Sequence, residues 1–391
     1  MLEFMEYIQH AWYHATQWNQ DNSYSQLTST ARALLEFETP RGLRVHLSSL
    51  SSPKLATSYK LGSLGFVDGS LSYLYTSQAL FPPSRSAAIH LRQVIHGYHQ
   101  VQELRPLDGR QAEDPVNMGR QPVLLYGRFY LPQSSLEALY VRRLSSTQQV
   151  KLCGVSDSRL KHGGTLLAVH QYDAGKYATD ALYSTDGGLV GVRGLYNFGP
   201  DPCTTTSAAL RVDERLSGLF SLGAEIYYGS LNKSGGMSLG TRFTTLPAHP
   251  GIPLTATLTL NPLMGNVSMT HAVKAGRDVS LCSRFDFNFY SYESELMLGC
   301  EIWKMRRPLP VSAARSTEAK LEWRLDPPPT QSPTASEVAG VLKARVDQNW
   351  RIGILWEGRV KELLFTLGSS IDMRQRDQPF QTIGLELQYS S

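Results

Sequence analysis

The chain lacks any continuous apolar run near the roughly 20 residues that a membrane-spanning helix needs. It also lacks the basic region and unbroken apolar core of a secretory signal. A cleavable transit peptide is not predicted either, because Glu3 and Glu6 are acidic and no Arg precedes Arg32. If the protein spans a membrane, it must do so as a closed β-barrel, and any targeting signal is expected within the chain or at its C-terminus.

Charged residues are scarce, at 18% of the 391 residues against about 25% in typical soluble domains. The net charge of +4 and the absence of a dense basic cluster argue against nucleic-acid binding. The four cysteines match no zinc-site spacing, so we expect them to be reduced and structural. They are Cys153, Cys203, Cys282 and Cys300.

Catalytic motifs are missing as well. The sequence contains no G-x-S-x-G, no P-loop and no G-x-G-x-x-G that follows a strand. His96 and His99 have the spacing H-x-x-H, but residues three apart point to opposite faces of the strand predicted there, and no carboxylate motif accompanies them. The sequence therefore predicts a protein that is not an enzyme and needs no metal or other cofactor.

What the chain does contain is strand-like alternation. Residues 254–260 place four apolar side chains on one face and three threonines on the other, and residues 285–289 do the same with three phenylalanines. Residues 220–228 and 295–302 alternate in the same way. Strands of about ten residues with one polar and one apolar face, joined by short turns, are typical of transmembrane barrels.

We count about twenty such segments, which predicts an all-β antiparallel meander closed into a transmembrane barrel. Weaker candidates include residues 27–38 and 90–104. Apolar residues recur at helical spacing over residues 2–18, so a helical segment is assigned to 1–20 and the barrel to 21–391. Four Pro-rich or polar breaks predict long loops outside the barrel, near 79–89, 105–122, 199–214 and 304–335.

The last strand has a distinctive pattern over residues 382–389. Leu385, Leu387 and Tyr389 share one face, whereas Gly384, Glu386 and Gln388 share the other. With Thr382 in front, this order of polar, glycine and apolar residues resembles the C-terminal sorting signal of mitochondrial outer-membrane barrels. The predicted signal residues are Thr382, Gly384, Leu387 and Tyr389.

Several longer stretches carry a more specific resemblance. They are Asn22-Ser-Tyr24, Asp68-Gly-Ser-Leu-Ser-Tyr-Leu-Tyr75, Tyr126-Gly-Arg-Phe-Tyr130, Leu136-Glu-Ala138, Asn261-Pro-Leu-Met-Gly265, Asp286-Phe-Asn-Phe-Tyr-Ser-Tyr-Glu-Ser294 and Gly299-Cys-Glu-Ile-Trp303. Together with the N-terminal segment and the terminal signal, they resemble the fungal mitochondrial distribution and morphology protein 10 family along the whole chain. The resemblance implies a barrel similar to the mitochondrial porins, with 19 strands, parallel pairing of the first and last strands, and the N-terminal helix in or near the lumen.

The resemblance also implies a function that alternation does not reveal. It implies a multi-pass protein of the mitochondrial outer membrane, located at contact sites between the endoplasmic reticulum (ER) and mitochondria. Its implied partners are the soluble and membrane subunits of the ER–mitochondria encounter structure, which supports phospholipid exchange, mitochondrial morphology and inheritance. It is also expected to act with the sorting and assembly machinery, both its core barrel and its peripheral subunits, in inserting β-barrels and maturing the translocase. Membrane lipids are expected contacts and nucleic acid is not.

Two aromatic clusters are candidate partner sites. Tyr73 and Tyr75 share a strand face beside the break near 79–89 and are assigned to the tether. Phe285 and Phe287 share a face, with Tyr290 opposite, and these three are assigned to the sorting machinery. The alternative for both clusters is an interfacial girdle that faces lipid headgroups.

Two other classes of protein remain open on these features. A porin-like metabolite channel would have the same barrel, and mild positive charge would suit anions. A soluble all-β protein such as a propeller or lectin should show a repeat of roughly 40–50 residues, and no such repeat is visible.

Overall fold

The computed structural model describes residues 1–64, 66–101, 121–160, 162–198, 218–246, 251–305, 338–374 and 380–391. Nineteen strands form one closed sheet, which confirms the predicted barrel and strand number. The strands are β1 Gly42–Ser52, β2 Leu55–Leu64, β3 Phe66–Thr76, β4 Val123–Leu131, β5 Ser135–Arg143, β6 Gln148–Ser156, β7 Gly164–Asp173, β8 Tyr177–Ser184, β9 Leu189–Phe198, β10 Gly218–Gly229, β11 Ser234–Thr245, β12 Leu254–Asn261, β13 Asn266–Val273, β14 Val279–Asn288, β15 Ser294–Met305, β16 Val338–Asp347, β17 Arg351–Val360, β18 Leu363–Asp372 and β19 Phe380–Ser390.

Every strand pairs with its sequence neighbours in antiparallel fashion, and the sheet closes where β1 meets β19. This seam is parallel, with Gly42 opposite Gly384 and Leu47 opposite Tyr389. An odd number of strands makes it so, because the first and last strands of an odd meander run in the same direction.

The two ends of the barrel differ in their connections. At one end, which we call the short-turn rim, the hairpins from β4–β5 to β16–β17 turn within three to seven residues, for example 132–134 and 157–163. The opposite end, the long-connection rim, carries the links 77–122, 199–217 and 306–337. Strands of about ten residues tilted by roughly 45° give an apolar belt about 25 Å tall, which matches a bilayer core.

Alternation separates the two faces of the wall. On β10, Leu222, Ile226 and Tyr228 face outward and are exposed, whereas Ser221 on the opposite face is fully buried in the lumen. Such an apolar exterior with a polar interior is the arrangement that a barrel in lipid requires.

The N-terminal residues lie inside the barrel. Helix α1, Phe4–Ala15, begins with a capping box in which the side chains of Glu3 and Glu6 satisfy backbone groups of the first turn. A 3-10 turn at Tyr24–Gln26 and helix α2, Ser29–Leu35, follow before the chain enters β1. In the described residues no helix is long and apolar enough to cross a membrane.

Some sequence predictions were wrong. Residues 27–38, expected as a strand, contain α2, because Ala31, Leu34 and Leu35 pack at helical spacing. Residues 90–104, also expected as a strand, contain the short helix α3, Leu91–Val94, and an irregular segment to residue 101.

Strand β2 was missed, because its outward face mixes Thr57 and Ser63 with apolar residues. The loop near 79–89 is not outside the barrel, as its residues Leu80, Ser86 and Ile89 are buried within the lumen. Almost all of the other three predicted loops, 105–122, 199–214 and 304–335, lies outside the described residues.

Candidate functional site

Helix α1 fills the lumen at its long-connection half. Ile8 and Trp12 are completely buried in one apolar cluster. The wall opposite them is apolar too, since β2 to β5 each turn one such residue inward at this level. These wall residues are Ala56, Leu74, Leu124 and Val141. Apolar residues on the normally polar face of a barrel indicate that the wall is built to hold the helix.

An ion-pair cluster fixes the start of α1. The carboxylate of Glu3 accepts hydrogen bonds from Lys60 on β2 at 2.8 Å and from Arg128 on β4 at 3.1 Å. Burial alone would raise the pKa of Glu3, but the two cations outweigh it and lower the pKa to about 2. Glu3 is therefore ionised at neutral pH. The N-terminal ammonium of Met1 pairs with the fully buried Glu357 of β17.

A second segment, residues 77–101, fills the space beside α1. Arg359 of β17 donates hydrogen bonds to the carbonyls of Ala87 at 2.7 Å and Ile89 at 3.0 Å. The Ser390 amide donates to the Ser86 hydroxyl at 2.6 Å, which ties this segment to the last strand. Leu91 and Ile95 then pack on Val338, Val341 and Leu364 of β16 and β18.

Residues 22–36 close the remaining arc of the lumen. Asn22 hydrogen-bonds Asp173 and Asn197, and Ser23 donates to Asp180, so this stretch contacts β7, β8 and β9. The Tyr24 hydroxyl lies 2.6 Å from that of Ser238 on β11. Helix α2 then packs on Ala272 and Cys282 of β13 and β14. The lumenal segments thus contact strands on every side of the wall at this level.

Two lumenal segments also meet each other at an exposed ion pair. His99 lies 2.9 Å from the carboxylate of Asp21. This hydrogen bond raises the pKa of His99 despite its partial burial. The pair joins the segment 77–101 to the stretch after α1.

The other half of the lumen is open towards the short-turn rim. A cavity of about 800 Å³ lies between α2 and the inner wall, and another of about 470 Å³ adjoins it. Both are lined by charged side chains. The first is lined by Arg41, Arg44, Arg284, Arg345 and Arg351 together with Glu36, Glu38, Glu295 and Asp347. This half of the lumen is thus a cup lined by charges of both signs.

The first predicted partner cluster faces outward. Tyr73 and Tyr75 on β3 are 47% and 45% exposed. Tyr73 is paired with Thr57 and Gly127, and no atom lies within 4 Å of the position that a Cβ would take at Gly127. Tyr73 therefore borders a shallow recess in the outer wall.

The second predicted cluster lies at the height of the short-turn rim. Phe285 and Phe287 both face outward on β14, as expected from their spacing. Tyr290 lies in the β14–β15 turn, and its hydroxyl donates to the carbonyl of Pro262 in the neighbouring β12–β13 turn at 3.1 Å. The three residues thus lie near the same end of β14, with Tyr290 in the turn and not on the opposite face of the strand as its spacing predicted.

The predicted sorting-signal residues lie on β19. Leu387 and Tyr389 face outward opposite Val45 and Leu47 of β1. Thr382 and Gly384 face the lumen, where the Thr382 hydroxyl lies 3.2 Å from that of Thr39. A Cβ at Gly384 would lie 2.3 Å from the carbonyl oxygen of Pro40. Alternation did not indicate this close contact, since it depends on how the chain leaves the lumen to enter β1.

No group of three metal-ligating side chains comes together within the described ranges. His96 and His99 take separate roles in the lumenal segment. The backbone carbonyl of His96 accepts a hydrogen bond from Lys343, and His99 pairs with Asp21.

The whole chain matches the family model described as mitochondrial distribution and morphology protein 10, over residues 1–333 and 311–391. Three relatives with that name are similar over the full length of both chains. They come from Sclerotinia sclerotiorum at 64% identity, Phaeosphaeria nodorum at 57% and Podospora anserina at 46%. The resemblance inferred from the motifs is confirmed.

Proposed function

Because the chain belongs to the mitochondrial distribution and morphology protein 10 family, we propose that it is an outer-membrane scaffold with two sets of partners. In one role it anchors the ER–mitochondria encounter structure and so supports phospholipid exchange and mitochondrial morphology. In the other it works with the sorting and assembly machinery on β-barrel precursors. It carries out no catalysis and uses no cofactor.

The filled lumen is the observation that supports a scaffold. The lumenal segments contact the inner wall through apolar packing and buried hydrogen bonds. Such packing occupies one half of the lumen, and the outer wall and the two rims are the surfaces that we assign to partners. The apolar outer belt supports the membrane location.

For the tether, the proposed contact is Tyr73 with Tyr75. Exposed aromatic pairs beside a recess are good anchors, and truncating an anchor of this kind costs about 2 kcal/mol or more. The variant Tyr73→Ala/Tyr75→Ala should lose tether subunits but keep the sorting machinery. Tyr183→Ala is the matched control, since Tyr183 is similarly exposed on the outer face of β8.

For the sorting machinery, the proposed contact is Phe285, Phe287 and Tyr290. Replacing all three with Ala should lose the machinery while tether subunits are still recovered. Phe220→Ala is the control, because Phe220 is exposed on the outer face of β10, four strands away. Normal recovery of the machinery would return these residues to the lipid-facing girdle.

The test of the whole proposal is affinity purification of the tagged protein from mitochondria in mild detergent, with partners identified by mass spectrometry. Recovery of both groups of subunits supports the dual role. Recovery of the barrel alone contradicts it.

The second candidate function is a metabolite channel, which the charged cup favours. The filled half of the lumen opposes it. Conductance recordings on the purified barrel in planar bilayers separate the two. A large, anion-selective conductance would support the channel, whereas the scaffold predicts little current.

A further inference from the structure

The two sides of the short-turn rim differ in the polarity of their turns. Three neighbouring hairpins, β12–β13, β14–β15 and β16–β17, carry apolar or aromatic tips, which we call the apolar crescent. It consists of Leu263, Met264, Tyr292 and Trp350, which are between 57% and 80% exposed. Glu293 is the only charged side chain in the turns 262–265, 289–293 and 348–350.

The opposite side of the same rim is polar. The hairpins β4–β5, β6–β7 and β8–β9 lie eight strands away, close to half of the circumference. Their exposed tips include Gln133, Ser134, Arg159, His162 and Asp186. On this side the exposed apolar belt stops below the turns, at residues such as Leu131, Leu166 and Val190.

Two of the aromatic tips lie at positions whose backbone conformation is unfavourable for bulky residues. Tyr292 and Trp350 have φ angles of 57° and 59°, the left-handed region that favours glycine. Ser134 and Lys233 hold comparable turn positions in other hairpins, with φ angles of 52° and 48°. The chain thus places aromatic side chains where the backbone disfavours them, and does so on two adjacent hairpins.

Hydrogen bonds also order two of the three turns that carry the crescent. The Tyr290 hydroxyl joins its own turn to the β12–β13 turn, and the Asn288 carboxamide oxygen accepts hydrogen bonds from the amides of Tyr290 and Ser291. The Asn261 side chain holds the amide of Met264 in the same way. A turn whose backbone is already ordered loses little conformational entropy when it enters a new environment.

We propose that the apolar crescent is inserted in the interfacial layer of one membrane leaflet, while the opposite tips remain in water. The crescent adjoins the lipid-facing belt, since Met269, Leu296 and Ile354 are exposed on the outer faces of β13, β15 and β17 beneath it. Tyrosine and tryptophan prefer the headgroup level, and leucine and methionine prefer the acyl chains. With the crescent included, the apolar belt is about 5 Å taller on that side of the barrel. The barrel must then tilt, or the leaflet must thicken at the crescent.

This inference rests on the proposed membrane location, and the experiment separates the two. Single cysteines are placed in a background that lacks the four native ones and are labelled with the environment-sensitive fluorophore NBD. The crescent variants are Tyr292→Cys and Trp350→Cys, and the matched variants are Ser134→Cys and Asp186→Cys. Ile354→Cys reports on the belt itself. Exposed turn tips tolerate such changes.

Each variant is refolded into phosphatidylcholine vesicles containing lipids with a nitroxide at the headgroup or high on the acyl chain. The crescent labels should be blue-shifted and quenched at least twofold more than the labels at 134 and 186. Equal spectra at all four tips would overturn the inference. A different result is that the crescent labels report water in vesicles but a shielded environment in native mitochondrial membranes. That result would also overturn the inference, because it would indicate that a protein partner covers the crescent. An unquenched label at 354 would refute the membrane location instead.

Discussion

Replacing Gly384 with alanine tests whether the terminal glycine serves the fold as well as the sorting signal. The new Cβ would lie 2.3 Å from the carbonyl oxygen of Pro40, 2.5 Å from its carbonyl carbon and 2.8 Å from the amide nitrogen of Arg41. All three atoms are backbone, so no side chain can rotate away. The segment that enters β1 must shift by about 1 Å, and overpacking of this kind costs about 1–3 kcal/mol.

The assay is urea unfolding of barrels refolded in detergent, where no import machinery is present and recognition of the signal has no effect. Gly127→Ala is the control, because Gly127 lies in a strand with open space around the site. Both variants change the entropy of the unfolded chain alike, so their difference isolates the clash. Equal unfolding midpoints would refute the reasoning.

A paired glycine distinguishes backbone from side-chain contact. Gly368 lies opposite Gly384 on β18, and a Cβ there would lie 2.5 Å from Cδ of the Pro40 ring. Adding Pro40→Gly should therefore relieve Gly368→Ala in part but leave Gly384→Ala as unstable as before. If Pro40→Gly relieved both variants equally, Gly384 would not contact the backbone of residue 40 in the way that the structure indicates.

Other changes should act on the lumenal segments and the seam. Trp12 is the largest completely buried side chain among the described residues, so Trp12→Ala should cost about 3–5 kcal/mol, which should appear as faster hydrogen exchange in α1. Glu3→Gln should release α1 in the same assay at neutral pH, and wild type should match it only as the pH falls from 4.5 towards 2. Because the pKa of His99 is raised, its contact with Asp21 should be complete below pH 6.5 and be lost as the pH rises beyond that raised value, with His99→Gln insensitive. Leu387→Lys puts a charge on the lipid face, at a cost on the order of 2 kcal/mol, so assembly in isolated mitochondria should fail.

Alternation predicted the wall because every strand meets the same constraint, with one face in contact with lipid and the other facing the lumen. Strands such as β12, with threonines opposite leucines, follow this rule closely. The lumenal segments obey no such period, because they pack in an irregular space whose shape the wall sets. Residues 90–101 contain buried apolar residues and exposed histidines in an order that resembled a strand, yet Leu91 and Ile95 pack at helical spacing. The contact of Pro40 with Gly384 joins residues far apart in sequence, which local patterns do not reveal.

The occupied half of the lumen and the uneven polarity of the short-turn rim point to one mode of action. A barrel that carried solutes would keep its inner wall polar and open, but here Ala56, Leu74 and Val141 are turned inward against a helix. A filled barrel resists deformation, because its wall is braced from within, and it holds surface features at fixed angles around its axis. Tyr73 on β3 and Phe285 on β14 are separated by eight strands across the closing seam, so they face different directions. Two partners bound at these positions would not compete for the same surface, and a variant that removes one cluster should leave the affinity of the other unchanged.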